Sequence, residues 1–144
     1  MTLVEALRDP VKRRAVVADG VLLVESEVAR RRGLSGLAVK AGFQVVKATR
    51  PGVVAAALES LLPEFAPVLD PYLAAARASG DAFTYLSAHA DSIADALLAV
   101  TDRKAKLSSH RGLKQAYGGL RGTARREVAQ SVPGLARLVE KHLG

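Results

Sequence analysis

Residues 81–107, DAFTYLSAHADSIADALLAVTDRKAKL, carry the clearest folding signal in the chain. Apolar side chains recur there at steps of four, three, four and three residues, which is the spacing of one face of an α-helix. The stripe consists of Leu86, Ala90, Ile93, Leu97 and Val100. Because aspartate is a favourable N-cap residue, Asp81 and this stripe together predict one long amphipathic helix that ends near Leu107.

Similar signals divide the rest of the chain into helices. Asp9 followed by Pro10 predicts a helix start, and Gly33 is expected to close that helix. Glu27 and Arg31 are four residues apart and should support its last turns. Its apolar stripe is Val17, Val21, Val24 and Val28.

The later boundaries follow from serine, proline and glycine positions. Ser35 is expected to cap a helix that reaches about Thr49, and Pro63 to end the next helix, residues 53–62. The remaining predicted boundaries are Asp70-Pro71, Gly80, Ser108 or Ser109, Gly118-Gly119, Thr123 and Pro133. The sequence therefore predicts one all-α domain over residues 1–144, a compact array of about seven or eight short-to-medium helices.

The stretch RRRGLSGLAVKAG, residues 30–42, has the outline of a helix-turn-helix. Ala29, Gly33 and Val39 match the small residue, turn glycine and apolar residue of that motif. A recognition helix presents polar side chains to base edges, whereas this one would begin with glycine, leucine and alanine at 36–38. A DNA-reading helix is therefore the less favoured interpretation.

A core helix is the favoured interpretation of the same segment. Only one narrow stripe is polar, and it consists of Lys40, Gln44 and Lys47. Such a helix is expected to be nearly buried, with its lysines reaching water through a gap. A membrane-surface helix is the third possibility, but that role calls for a stronger polar face.

The net charge of +7 is unevenly distributed along the chain. Residues 1–50 carry +5, residues 51–102 carry −6 and residues 103–144 carry +8. A basic C-terminal third can attract phosphate groups or an acidic protein surface. It can equally pack against the acidic middle within one fold, and the sequence leaves both possibilities open.

Eight basic side chains within 24 residues are the candidate binding residues for a polyanion. They are Arg103, Lys104, Lys106, Arg111, Lys114, Arg121, Arg125 and Arg126. Charge of this density would hold nucleic-acid phosphates in a salt-sensitive way without reading sequence. Only Tyr117 offers an aromatic ring in this region, so stacking of single-stranded bases is poorly supported.

Composition narrows the location of the protein. The chain has no cysteine, which excludes disulfides and thiolate metal sites and suits a reducing cytoplasm. No stretch free of Asp, Glu, Lys and Arg exceeds nine residues, which predicts no transmembrane segment. Glu5 comes too early for a secretory signal, so we expect a cytoplasmic protein.

Metal-binding patterns are weak. The three histidines, His89, His110 and His142, are far apart in sequence. Asp91 and Asp95 share a helix face, but two carboxylates at this spacing more often form a solvated acidic face. We therefore expect no metal site.

Catalytic patterns are weaker still. Ser35 lies in GLSGL, which is not a nucleophile elbow because position 37 is leucine. The GGLRG run at 118–122 lacks the lysine and hydroxyl residue that end a phosphate-binding loop. The sequence thus predicts no catalytic residue and no cofactor, and it favours a protein that is not an enzyme.

Five segments resemble a family of uncharacterised bacterial proteins of about this length. They are DPVKRRAVVAD, GLSGLAVKAGFQVVKA, SLLPEF, DALLAVTDRKAK and VPGLARLV. The resemblance implies a small, helical, stand-alone bacterial domain. It implies no functional residue, because the family has no known activity.

Three functions are compatible with these features. The favoured one is a non-catalytic helical module that binds a protein partner or assembles with copies of itself. The second is a basic accessory protein that binds nucleic acid or another polyanion without sequence specificity. The third is a carrier of a small apolar ligand, which requires a pocket between helices.

Overall fold

A computed structural model describes residues 1–49 and 51–143, without the side chains of Leu34, Ser35, Thr49 and Leu113. All regular structure among the described residues is helical, which confirms the predicted all-α class. The seven helices of this part of the chain are α1 (Leu3–Ala6), α2 (Pro10–Arg30), α3 (Gly33–Thr49), α4 (Val53–Ala78), α5 (Ala82–Ala88), α6 (Ala90–Leu107) and α7 (Arg111–Leu143).

The core lies between α4, α6 and α7, with α1, α2 and α5 packed around it. The stripe predicted from residues 86–100 faces this core, where Ile93 is only 1% exposed. The central apolar residues are Leu69, Leu73, Ala76, Leu86, Ile93, Leu97, Val132, Ala136 and Val139. Spacing along the sequence therefore identified the correct inner face of α6.

Two predicted helix caps are confirmed. The Asp9 carboxylate accepts a hydrogen bond from the Val11 backbone N–H at 2.9 Å, and Pro10 occupies the first helical position. The Asp81 carboxylate accepts bonds from the backbone N–H of Thr84 at 3.1 Å and from its hydroxyl at 2.7 Å. The cap predicted at Ser35 depends on a side chain outside the described residues.

The predicted helix from 81 to 107 is interrupted at His89. Its backbone leaves helical geometry, and its ring nitrogen Nδ1 lies 2.8 Å from the Tyr85 carbonyl oxygen. The imidazole also stacks on the Tyr85 ring, with 4.1 Å between centroids. His89 is therefore both the C-cap of α5 and the N-cap of α6, and the apolar stripe continues across the break.

The helix boundary predicted at Pro63 is wrong, because α4 continues through Pro63, Pro67 and Pro71. These prolines are four residues apart, so all three lie on one exposed face. Proline at 63 cannot donate to the Glu59 carbonyl, and Arg13 Nη2 bonds that oxygen at 3.0 Å instead. The lost helical bond is thereby replaced from outside the helix.

The boundary predicted at Asp70-Pro71 is also wrong, because α4 continues through it, and Asp70 caps a different helix. Its two carboxylate oxygens accept bonds from the backbone N–H groups of Leu3 at 2.8 Å and Val4 at 3.1 Å. The short helix α1 was not predicted from the sequence. Its N-terminus is capped by a side chain 66 or more residues away. A capping box between Thr2 and Glu5 completes its first turn.

The boundaries predicted at Gly118-Gly119, Thr123 and Pro133 are also wrong, because α7 is continuous. A glycine within a helix costs about 1 kcal/mol, and packing of α7 against α2, α3, α5 and α6 offsets that cost. Gly134 lies where α7 meets α2, and a Cβ there would be 2.6 Å from Leu23 Cδ1. Glycine therefore permits the close approach of these two helices.

Helix α3 is not the nearly buried core helix that its composition predicts. Among its described side chains and glycines only Gly36 and Val39 are buried, whereas Leu37 is 64% and Val45 is 53% exposed. The longer helices α4, α6 and α7 occupy the centre, so α3 packs at the edge, mainly on α7. The apolar composition of α3 predicts a buried helix, but composition does not specify which helix occupies the centre of the fold.

Candidate ligand-binding groove

An open groove of about 610 Å³ lies where α3, α4, α6 and α7 meet. This volume falls within the range of small-molecule binding sites. Leu107, at the end of α6, is 81% exposed, so an aliphatic side chain is left open to solvent at the groove. The apolar side chains of the groove are Val46, Ala57, Leu61, Ala105, Leu107 and Leu120.

The rim of the groove is positively charged. Lys104 Nζ lies 2.6 Å from Glu64 Oε2 and donates a hydrogen bond to Ser60 Oγ at 2.9 Å. Arg103 Nη2 lies 3.7 Å from the other oxygen of Glu64. Lys114 has no carboxylate partner in the described part of the chain, so the three cations and Glu64 leave a net charge of +2.

Tyr117 forms part of the groove wall and is held in a fixed orientation. Its hydroxyl donates to the Asp102 carboxylate and lies 2.7 Å from Thr101 Oγ1. Arg121 binds the same carboxylate through two nitrogens, at 2.8 Å and 3.1 Å. Burial and then the neighbouring Asp102 raise the pKa of Tyr117, so the phenol stays neutral at physiological pH.

The eight candidate polyanion-binding residues do not form one group. Arg103, Lys104 and Lys114 line the groove, whereas Arg121 and Arg125 form two-nitrogen contacts with Asp102 and Asp95 of α6. The other three candidates are Lys106, Arg111 and Arg126, all exposed. The basic C-terminal third thus packs in part on the acidic middle, one of the two arrangements that the sequence left open.

A buried ion cluster joins α2 to α7, and only its contact between Arg31 and Glu27 was predicted from the sequence. Arg31 bonds Glu27 at 3.1 Å, as the four-residue spacing predicts, and its Nε also donates to the Glu127 carboxylate. Its Nη2 donates to the Glu127 carbonyl at 2.9 Å and to Ser131 Oγ at 3.0 Å. The side chains of Arg31, Glu27 and Glu127 are 10%, 8% and 14% exposed. Glu127 lies 96 residues from Arg31, beyond the reach of any local pattern.

The model of one protein family matches residues 3–143, nearly the whole chain. The chain belongs to DUF6918, a family of unknown function. Membership of DUF6918 confirms the resemblance to an uncharacterised family and assigns no activity. No curated protein and no solved structure matches the chain.

Membrane-spanning criteria are met by no single helix among the described residues of this DUF6918 protein. Only Gly36–Ala48 and Val53–Ala78, taken together across a bend of 96°, satisfy them by length and composition.

The histidines of the DUF6918 protein lie in separate environments. His89 contacts the Tyr85 carbonyl, and His142 Nε2 lies 2.7 Å from Asp19 Oδ2, which also contacts Lys141 Nζ at 2.9 Å. Within residues 1–49 and 51–143, no group of three or more His, Asp or Glu residues is arranged to hold a metal ion.

Two aspartates of α6 in this DUF6918 protein have lowered pKa values because side chains of α7 donate hydrogen bonds to them. The hydrogen bond from Arg125 lowers the pKa of Asp95, and hydrogen bonds from Arg121 and then Tyr117 lower the pKa of Asp102. A carboxylate with a lowered folded-state pKa stabilises the fold at pH values above its unfolded pKa. That contribution disappears as the pH falls through the folded-state pKa.

We therefore expect the Asp95→Asn/Asp102→Asn variant to lose part of its pH dependence of stability. Wild-type protein should lose stability between about pH 5 and pH 2, and the double variant should show a shallower decline over the same range. Urea unfolding followed by circular dichroism at each pH measures the difference. Asp91→Asn is the control on the same helix, because Asp91 makes no hydrogen bond to either arginine among the described contacts. An equal flattening in the control would contradict the assignment.

Proposed function

We propose that this DUF6918 protein is a non-catalytic carrier of a small amphiphilic anion. The apolar chain of the ligand would lie along the aliphatic lining of the groove, and its carboxylate or phosphate head would meet Lys114, the rim cation without a carboxylate partner among the described residues. The observation that carries this proposal is one groove of about 610 Å³ that combines exposed aliphatic side chains with a rim of net positive charge.

The groove favours a ligand carrier over the interaction module that the sequence placed first. An open apolar concavity with a few convergent polar groups is typical of small-molecule sites. Binding of long nucleic acids through the C-terminal third has less support, because Arg121 and Arg125 are already bonded to carboxylates. The cytoplasm of a bacterium is the proposed location, supported by the lack of cysteine and by the family resemblance.

Isothermal titration with dodecanoate tests the proposal. We expect one dodecanoate to bind each chain, with affinity that rises with chain length from octanoate, because each added methylene buries more apolar surface. Dodecyltrimethylammonium has the same chain and the opposite charge, so it should bind more weakly at the cationic rim. Absence of dodecanoate binding, or equal affinity for both amphiphiles, would overturn the proposal.

Two substitutions locate the binding in the groove. Ala57 is exposed on α4, so Ala57→Trp should fill the groove without disturbing the core and should abolish dodecanoate binding. Lys114→Glu should weaken binding at least about tenfold, which corresponds to about 1.4 kcal/mol.

Lys12→Glu is the matched control for the charge reversal, because Lys12 lies on α2 and does not line the groove. Its affinity for dodecanoate should stay near that of the wild type. An equal loss in Lys12→Glu would show that net charge, and not the groove rim, governs binding.

A further inference from the structure

Three arginines from distant parts of the chain line a second cleft, separate from the groove. Arg30 and Arg32 come from the junction of α2 and α3, and Arg126 comes from α7. Glu127 and Gln130 also line this cleft, which has a volume of about 400 Å³. Unlike the groove, it has a mainly polar lining, so it suits a polar ligand.

The buried ion cluster builds this cleft. Arg31 also borders it, but four of its N–H donors are already bonded to Glu27, Glu127 and Ser131. Arg31 therefore holds the end of α2 against α7 and is not available to a ligand. With that junction held, the neighbouring Arg30 and Arg32 line the same cleft as Arg126.

The remaining arginines are still accessible to an anion. Arg30 contacts Glu27 at 3.2 Å, yet its side chain is 66% exposed. Arg126 lies 3.7 Å from Glu127, and its side chain is 58% exposed. Arg32 has no ion-pair partner within the described residues. Four guanidinium groups against two carboxylates leave a net charge of +2 at the cleft.

We propose that this cleft binds the dianionic phosphate group of a phosphate monoester. Phosphate oxygens would accept bonds from Arg30, Arg32 and Arg126, whose planar guanidinium groups match phosphate geometry. The Gln130 amide adds a neutral donor. The charge of a phosphate dianion balances that of the cleft, whereas a single carboxylate leaves an excess positive charge.

An adjoining cleft supplies room for the organic part of the monoester. It has a volume of about 480 Å³ and shares Arg126 and Gln130 with the arginine cleft. Asp91, Gly122 and Ala129 also line it. Because this site lies apart from the groove, phosphate monoesters should bind even when dodecanoate is present, and either proposal can fail without the other.

Titration calorimetry at low salt with phenyl phosphate, inorganic phosphate and benzenesulfonate tests this site. We expect both phosphates to bind more tightly than benzenesulfonate, which carries one charge. Tighter binding of phenyl phosphate identifies a monoester as the source of the phosphate group, whereas tighter or equal binding of inorganic phosphate identifies the free ion. A dissociation constant above about 10 mM for both phosphates would overturn the proposal. Such a value corresponds to less than about 3 kcal/mol of binding free energy.

Arg126→Gln and Arg32→Gln should each weaken phosphate binding at least about tenfold, as expected for loss of a charged hydrogen-bond donor. Arg32 makes no ion pair among the described residues, so Arg32→Gln provides a test even if Arg126→Gln destabilises the fold. Arg111→Gln is the matched control, because it removes the same charge from α7 outside the cleft. An equal loss in Arg111→Gln would show that overall charge is responsible and would overturn the site.

Discussion

The Arg31→Met variant will lose about 3 to 5 kcal/mol of unfolding free energy, one of the two largest effects that we expect for a single substitution. Arg31 is 10% exposed and forms ion pairs with two carboxylates, Glu27 and Glu127, that are 8% and 14% exposed. Methionine keeps much of the side-chain volume but leaves both carboxylates without a buried cation, since their remaining contacts are with the exposed side chains of Arg30 and Arg126. Equilibrium unfolding in urea measures the loss.

Two further variants separate the charge effect from a packing effect. Adding Glu27→Gln and Glu127→Gln to Arg31→Met removes the two carboxylate charges that lost their buried partner, so much of the stability should return. Arg30→Met changes the adjacent residue, whose side chain is 66% exposed, and should cost less than about 1 kcal/mol. If Arg30→Met and Arg31→Met are equally destabilising, the buried cluster does not hold α2 and α7 together.

The Ile93→Ala variant will lose about 4 kcal/mol, because it removes buried methylene and methyl groups and leaves a cavity. Ile93 is 1% exposed and contributes to the core formed by α4, α6 and α7. The loss should appear as a lower urea midpoint with an unchanged slope, since the surface exposed on unfolding stays nearly the same.

Leu22→Ala is the control for Ile93→Ala. It removes an aliphatic side chain of similar size from α2, but Leu22 is 62% exposed. We expect a change within about 0.5 kcal/mol. Comparable losses in the two variants would contradict the burial that distinguishes them.

Features that depend on neighbours in sequence were predicted well. The N-caps at Asp9 and Asp81 and the inner stripe of α6 all follow from contacts within a turn or two of helix. The prediction at Asp70 shows the limit of that reasoning. Its carboxylate caps a helix as expected of aspartate, but that helix is α1, whose capped residues lie 66 and 67 positions earlier in the chain.

Helix breaks were overpredicted because proline and glycine have local costs that distant contacts can offset. Pro63 deprives the Glu59 carbonyl of its helical partner, and Arg13 supplies another donor. The glycines of α7 lower its intrinsic helix preference, and packing on both sides restores the helix. Neither compensation can be read from the segment in which the break was predicted.

The groove and the arginine cleft were not predicted as sites, although several of their basic residues were predicted as candidates for binding a polyanion. The sequence placed Lys104, Lys114 and Arg126 in one basic segment, and the structure assigns them to two different concavities. Arg32 joins Arg126 only because α2 and α7 pack together. A cluster along the chain is therefore not the same as a cluster in space.

By itself, the sequence determined that this protein is all-helical, which aspartates end up as caps and which face of α6 points inward. Those properties depend on hydrogen bonds and side-chain spacing within one or two helical turns. Only the tertiary structure decided that α3 lies at the edge, that α4 and α7 run unbroken, and that Arg31 meets Glu127. These outcomes depend on competition between helices for the same apolar core and on contacts between residues far apart in the chain, which local spacing does not encode.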